Sequence, residues 1–245
     1  MFDERFERGL DPAVWTPAYL PAWSSRAEAA ATWSVDGEGL HLTIPPEQPL
    51  WCAGDHEPPL RVSAVQSANR SGPVGSTDGQ QPFRAGQRVR EGQPTVLGFT
   101  PGNGLVEVEC RARLGPSAMF SAWLIGLEDA PERCGEICLV EVFGDTLVGD
   151  RAAVGAGIKA FRDPALVEDF VAEPRELDVT VPHRYAVHRQ PGRVDFLVDG
   201  TPIRTCHQAP AYPMQLMIAV FDFPDHPAHD PADTPELVVR RVTGP

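Results

Sequence analysis

Gly135-Glu136-Ile137-Cys138-Leu139-Val140-Glu141-Val142-Phe143-Gly144 sets two carboxylates in a run that is otherwise apolar and strand-like. Apolar, β-branched composition suits a half-buried pleated surface, where an acid is out of place unless it is used. Strand side chains alternate faces, so the five-residue offset puts Glu136 and Glu141 on opposite faces of a regular strand. One β-bulge between them restores the parity. Fully extended, their Cα atoms would be about 13–16 Å apart, whereas two carboxyls sharing a double displacement sit about 5–5.5 Å apart. Paired acid/base chemistry therefore requires a bent strand and inward-leaning side chains. The plain alternative is a pair of solvated glutamates on an exposed face.

The flanking sequence has the same period of two. In Val106-Glu107-Val108-Glu109-Cys110-Arg111-Ala112-Arg113-Leu114 the apolar residues share one face and the charges the other, the mark of a half-buried antiparallel strand. Leu40, Leu42 and Ile44 alternate with His41 and Thr43, and Val194, Phe196 and Val198 with Arg193 and Asp195. Asp199-Gly200 then reads as a two-residue hairpin turn. Further strands are expected at Leu60 to Ser67, Met119 to Leu127, Gly135 to Phe143, Val154 to Phe161, His183 to Arg189, Met214 to Phe223 and Glu236 to Val242. About a dozen strands punctuated by Gly and Pro imply an all-β sandwich of two antiparallel sheets. Asp163 to Phe170, with Asp163 as N-cap and Pro164 at the first helical position, is the one helical expectation. Asn69 to Gly104 reads as a long surface loop or cleft wall.

At 245 residues, with no internal repeat or composition break, residues 1–245 are expected to form one domain. A net charge of −13 repels polyanions, so nucleic acid, anionic lipid and sulfated or uronic polymers are poor partners. A neutral ligand meets no such penalty. The N-terminus has neither a basic n-region nor an apolar h-region, and no run is long enough to span a membrane. The expectation is a soluble cytoplasmic protein, or an extracellular one if a leader has been trimmed away. Cys52, Cys110, Cys134, Cys138 and Cys206 are an odd set without CxxC spacing, and fit reduced thiols. A bent strand would still bring Cys134 and Cys138 within reach of each other.

The bulged Glu136–Glu141 strand resembles glycoside hydrolase family 16, whose active-site strand reads E-[ILV]-D-x-x-E on a concanavalin A-like jelly roll. The likeness continues in order along nearly the whole chain. Phe2 to Phe6 with Asp11 to Trp15 resembles the opening strand, and Phe120 to Gly126 the Trp-bearing strand before the motif. His183 to Val187, Phe196 to Gly200 and Pro213 to Ile218 resemble later strands. The resemblance implies a retaining, endo-acting hydrolase of a neutral β-glycan, a β-1,3- or β-1,3-1,4-glucan first among them. Glu136 would be the nucleophile and Glu141 the acid/base. It also implies aromatic sugar platforms, for which Trp123, Trp51 and Phe143 are the candidates, each with a rival reading as core filler.

The departures carry as much information. Cys138 stands where the family has the aspartate that orients the nucleophile, and a thiol is a weak donor without charge. Ala219 and Phe223-Pro224 replace an asparagine and a glycine pair, and Val238 replaces an aspartate of the closing strand, which argues against a calcium site there. Lys159, the single lysine, falls where the family places a cleft histidine; its ammonium would bind sugar hydroxyls or hold Glu136 ionised, unless it is a solvated strand end. Asp222 to Asp233 gathers His226, His229 and four carboxylates on a proline-rich loop. His226 and His229 with Asp222 or Asp230 offer imidazole and oxygen ligands to a divalent metal, although nothing regular fixes the His spacing, and sugar contacts from Asp222 or His226 are an equal alternative. No cofactor motif is present: there is no GxGxxG, P-loop, HExxH or nucleophile elbow. Two alternatives stay open on the same fold, a catalytically silent carbohydrate-binding sandwich and a transglycosylase.

Overall fold

The computed structural model describes residues 1–245. In chain order the strands are β1 (Phe2–Glu4), β2 (Thr32–Asp36), β3 (Gly39–Thr43), β4 (Arg61–Gln66), β5 (Ala68–Asn69), β6 (Val96–Leu97), β7 (Gly104–Arg113) and β8 (Ala118–Gly126). They continue as β9 (Glu136–Phe143), β10 (Arg151–Lys159), β11 (Asp169–Glu176), β12 (His183–Gln190), β13 (Arg193–Val198), β14 (Thr201–Cys206), β15 (Met214–Asp222) and β16 (Glu236–Gly244). One sheet runs β14-β13-β12-β7-β16-β3-β2 with β1 beside β16, and the other runs β11-β10-β9-β8-β15-β4. All pairings between these strands are antiparallel. β5 and β6 form a small separate ribbon.

Alternation builds the interior. Val106, Val108, Cys110 and Ala112 of β7 and Tyr185 and Val187 of β12 face Phe120, Ala122 and Leu124 of β8 and Leu216, Ile218 and Val220 of β15 within one apolar cluster between the sheets. The odd-numbered residues of β8 and β15 point the other way, onto the outer face of the second sheet, and a second apolar cluster lies there. It joins Met119, Trp123, Ile125, Met217, Ala219 and Phe221 to Leu20, Trp23, Trp51, Leu60 and Val89 from the connecting segments. Those segments are pinned by buried hydrogen bonds. Gln66 Oε1 accepts from the Leu20 N–H at 3.2 Å, the Trp23 indole donates to the Gln80 carbonyl at 2.7 Å, and Gln48 donates to the Val62 carbonyl at 3.1 Å.

The Asp199-Gly200 hairpin forms between β13 and β14, both residues at positive φ. The helix expected over Asp163 to Phe170 does not. Asp163 instead closes a tight turn, its carboxylate accepting from the Ala165 N–H at 2.8 Å and from the Tyr212 hydroxyl at 2.7 Å, and the chain enters β11 at Asp169. A capping aspartate followed by proline serves a turn as well as a helix. All five cysteines are free and buried, so Cys134 and Cys138 form no bridge. No helix is long and apolar enough to cross a membrane.

Candidate active site

A bulge in β9 decides where the carboxylates go. β8 pairs Ala122 with Val140 and then Trp123 with Cys138, so Leu139 has no opposite residue. β10 shows the same step, Gly155 opposite Glu141 and Gly157 opposite Cys138. Leu139 and Val140 both join the inter-sheet core, while Glu136 and Cys138 before the bulge and Glu141 and Phe143 after it share the outer face. Ser121 supports the irregularity, its hydroxyl donating to the Val140 carbonyl at 2.8 Å.

On that face the acids converge on one ammonium. Lys159 lies directly across from Glu136 in the β9–β10 ladder, and its Nζ is 3.1 Å from Glu136 Oε1 and 2.9 Å from Glu141 Oε2. Two oxygens held this close to one nitrogen are at most about 6 Å apart, a bound compatible with the spacing of a double-displacement pair. Burial raises Glu136 above the ordinary carboxylate value even though the Lys159 charge pulls it down. For Lys159 burial works against the charge, but Glu136 and Glu141 outweigh it and hold the ammonium firmly protonated. The ammonium also lies 4.7 Å from the centre of the Phe170 ring, a cation–π contact. Glycines make that approach possible. A Cβ at Gly155 would stand 2.6 Å from the Phe170 ring, and one at Gly157, which has φ +146°, 2.2 Å from the Asp169 carbonyl oxygen.

Cys138 points at the same face, fully buried, its sulfur 3.9 Å from Ser121 Oγ. Burial and then the neighbouring Glu136 charge push the thiol well above its ordinary value, so it stays neutral. It cannot supply the charge of an aspartate, and Lys159 is the group that contacts both acids. The pair can deliver a nucleophilic carboxylate and a proton-carrying carboxyl from one side of a cavity.

That cavity, of about 360 Å³, is lined by Glu136, Glu141 and Lys159 together with Ser121, Trp123 and Trp51. Trp123 is 5% exposed and tilted against Phe221, at 6.2 Å between ring centres. Trp51 meets Tyr19 and Phe83 edge-on at 4.9 and 5.2 Å. Phe143, 39% exposed, lies beyond the lining, stacked on Phe223 at 6.1 Å, and Phe223 does reach the cavity.

Two further candidates are placed outside the cavity. Asp222 is buried at the end of β15, accepting from the Ser117 hydroxyl at 2.8 Å and paired with Arg61 and His229 at 3.5 and 3.3 Å. His226 sits 3.6 Å from Asp145, outside the cavity. Even-numbered residues of β15 turn away from the cavity side, which is why Asp222 misses it while Phe221 lines it.

The structure adds residues that the sequence did not single out. Ser121 and Phe221 follow from strand parity once Trp123 is placed. Tyr19 and Phe83 come from irregular segments with no period to read. Burial, then the charge of Glu136, raises the Tyr19 phenol. At the rim Glu128 is buried, accepts from the Gln81 N–H at 2.5 Å and pairs with Arg162; burial raises its carboxyl.

No family model matches the chain, and no curated protein does. Solved structures share its fold over almost its whole length. A GlcNAcα1-4Gal-releasing endo-β-galactosidase from Clostridium perfringens aligns with 99% of this chain at a TM-score of 0.82 and 22% identity. This chain spans only 61% of that protein. The laminarinase catalytic domain from Thermotoga maritima aligns at 0.64 and 13% identity, covering 99% of this chain and 95% of that one. A β-1,3-1,4-glucanase (lichenase) from a mouse hindgut metagenome aligns at 0.63 and 15% identity, over 98% and 96%. At these identities the likeness establishes the fold, a concanavalin-like jelly roll also used by glycosidases.

Proposed function

We propose that residues 1–245 act as one domain, a retaining, endo-acting hydrolase of neutral β-glycans, with Glu136 as nucleophile and Glu141 as acid/base. The observation that carries this reading is the Leu139 bulge, which returns both glutamates to one face within reach of Lys159. In the first step the Glu136 carboxylate bonds to the anomeric carbon as the glycosidic C–O bond breaks, and the Glu141 proton passes to the leaving oxygen. In the second, Glu141 takes a proton from water, the hydroxyl attacks the anomeric carbon and the Glu136 ester bond breaks. One water is consumed and the anomeric configuration is retained.

Lys159 opposes the upward pull of burial on Glu136, a task that a neutral Cys138 cannot share. Trp123 and Trp51 are the sugar-facing aromatics, with Phe143 reaching the site through Phe223. The net charge of −13 favours neutral over sulfated or uronic chains. Laminarinase, lichenase and endo-β-galactosidase neighbours make β-1,3-glucan, β-1,3-1,4-glucan and β-galactosides the first substrates to try.

Incubation with laminarin, lichenan, xyloglucan and galactan should release reducing ends, the first product carrying the β-anomer by NMR. Release that survives Glu136→Ala unchanged overturns the assignment. One observation favours a second reading, a silent carbohydrate-binding sandwich: the Lys159 ammonium pairs with both acids, including the one that must bring a proton. Glycan binding without turnover distinguishes it.

A further inference from the structure

The outer face of the second sheet is not an open cleft. Its cavity-side rows cross the strands in register: Gly157, Cys138, Trp123 and Met217, then Gly155, Glu141, Ser121 and Ala219. From these rows Glu141 of β9 and Trp123 and Ser121 of β8 line the cavity, with Glu136 beside them and Lys159 the lining residue of β10. On β15 and β4 they vanish under cover: Met217, Ala219, Val62 and Ala64 are all buried in the second apolar cluster. The cover consists of the segments bearing Leu20 and Trp23, Trp51 and Leu60, and Val89. No β4 residue lines the cavity, and Phe221 is the only one from β15.

The two ends of the cavity therefore differ. At the β15 end an aromatic wall of Tyr19, Trp51, Phe83 and Phe221 closes it, the rings in edge contact at 4.9 to 5.5 Å. At the β10 end Phe161, 58% exposed, and Arg162 form the rim, and most of β11 beyond them is exposed. A volume of about 360 Å³ lies near the bottom of the range for small-molecule pockets, about 300–1,000 Å³.

We propose that the cavity admits only a terminus of a neutral glycan chain, so that the scissile bond lies a fixed, short distance from that end and one oligosaccharide length is released. This rests on the hydrolase reading for its catalytic half and narrows its endo-acting mode to one internal linkage near a chain end, while terminus recognition stands on the closed wall. The chain runs out past Phe161, and its enclosed end stacks within the Trp51–Phe83 wall.

The test uses laminari- and mixed-linkage gluco-oligosaccharides and β-galacto-oligosaccharides in three forms: free, blocked at the non-reducing end by a 4,6-O-acetal, and blocked at the reducing end by a bulky fluorophore. Binding to the Glu136→Gln protein is measured by calorimetry, and wild-type products by mass from the earliest times. One block should weaken binding at least tenfold while the other is tolerated, and a single short product should dominate from the start. Phe83→Ala, checked for a cooperative melt, should relax the dependence on the block. Equal binding of both blocked forms, or a ladder of early product lengths, overturns the terminus inference but leaves Glu136-dependent hydrolysis standing. Block-sensitive binding without turnover overturns the hydrolase reading alone. Absence of binding and turnover with every glycan overturns both.

Discussion

On β9 and β10 the outer face of the second sheet carries Glu136, Glu141, Lys159 and the glycines 155 and 157; on β15 and β4 it carries Met217, Ala219, Phe221, Val62 and Ala64. Apart from the Leu139 bulge, the ladder runs unbroken from β10 to β4, so strand pairing does not separate the two halves. What separates them is cover. The apolar half is sealed by Trp23, Leu20 and Val89, and so contributes a second core. The charged half keeps an opening at which Lys159 and Glu141 stay partly exposed, because sealing charged groups under a loop would cost more than their mutual attraction returns. The strands supply the chemistry, while the connecting segments decide how far along the sheet a ligand can reach.

The largest expected effect breaks the charged half without touching the covered one. Glu136→Gln should reduce turnover by roughly 10⁴-fold or more, the scale of losing a nucleophile that acts as part of a unit. Its melting midpoint should stay close to that of the wild type. Initial rates on a cleaved glycan, alongside a thermal melt, check this; a loss of tenfold or less would remove Glu136 from the nucleophile's role. The converse change is Trp23→Ala. Trp23 is fully buried in the cover, its ring leaves no room for a Cβ on Gly79, and its indole is bonded to Gln80. Truncation should cost about 3–5 kcal/mol in denaturant unfolding. A cost under about 1 kcal/mol would mean the cover is not part of the core.

The two halves were not equally legible in the sequence. The charged half was readable because strand parity is strict: an offset of five between glutamates demands a bulge, and Leu139 provides it. The buried strands announced themselves by alternation, as β7 does from Val106 to Arg113. β11 did not. It is an edge strand with both faces largely exposed and Pro174 within it, so no apolar period marks it, and its first residues passed for the end of a helix. The cover was illegible for another reason. Tyr19, Trp51 and Phe83 sit in irregular segments whose positions are set by long-range contacts such as Gln66 to Leu20, and no local pattern encodes those. Asp222 and His226 do not line the cavity, since following a cavity strand in sequence does not put a side chain on its cavity side.

Lys159→Met is expected to act less strongly than loss of the nucleophile. Without the ammonium, Glu136 loses the charge that opposes its burial, so its carboxyl rises further. The acid limb of kcat/KM should move to higher pH, with a loss of up to about a hundredfold, the cost of a reacting group misplaced by about 1 Å. Stability gives the same sign. A carboxyl raised in the folded state is deprotonated first in the unfolded chain, so folding loses ground as pH rises above the ordinary glutamate value. The melting deficit of the variant should therefore be larger at pH 8 than at pH 4. A deficit independent of pH would mean that Lys159 supports the site by packing on Phe170 instead.

The smallest effect tests how the bulge is held. In the covered half, packing fixes the register, since a slip by one residue would drive Met217 and Ala219 into the other core. In the charged half, the apolar Leu139 and Val140 both face inward, and packing alone distinguishes poorly between a bulge at one or the other. Ser121, whose hydroxyl takes up the Val140 carbonyl at 2.8 Å, is the local feature that tells them apart. Ser121→Ala should cost about 1 kcal/mol of stability, the net value of one hydrogen bond, and leave turnover within about tenfold. Thermal melts and initial rates on one variant measure both. If turnover falls a thousandfold while the melt barely moves, the bulge has shifted and Glu141 has left the face, and the serine, more than the core beneath it, keeps the two carboxylates together.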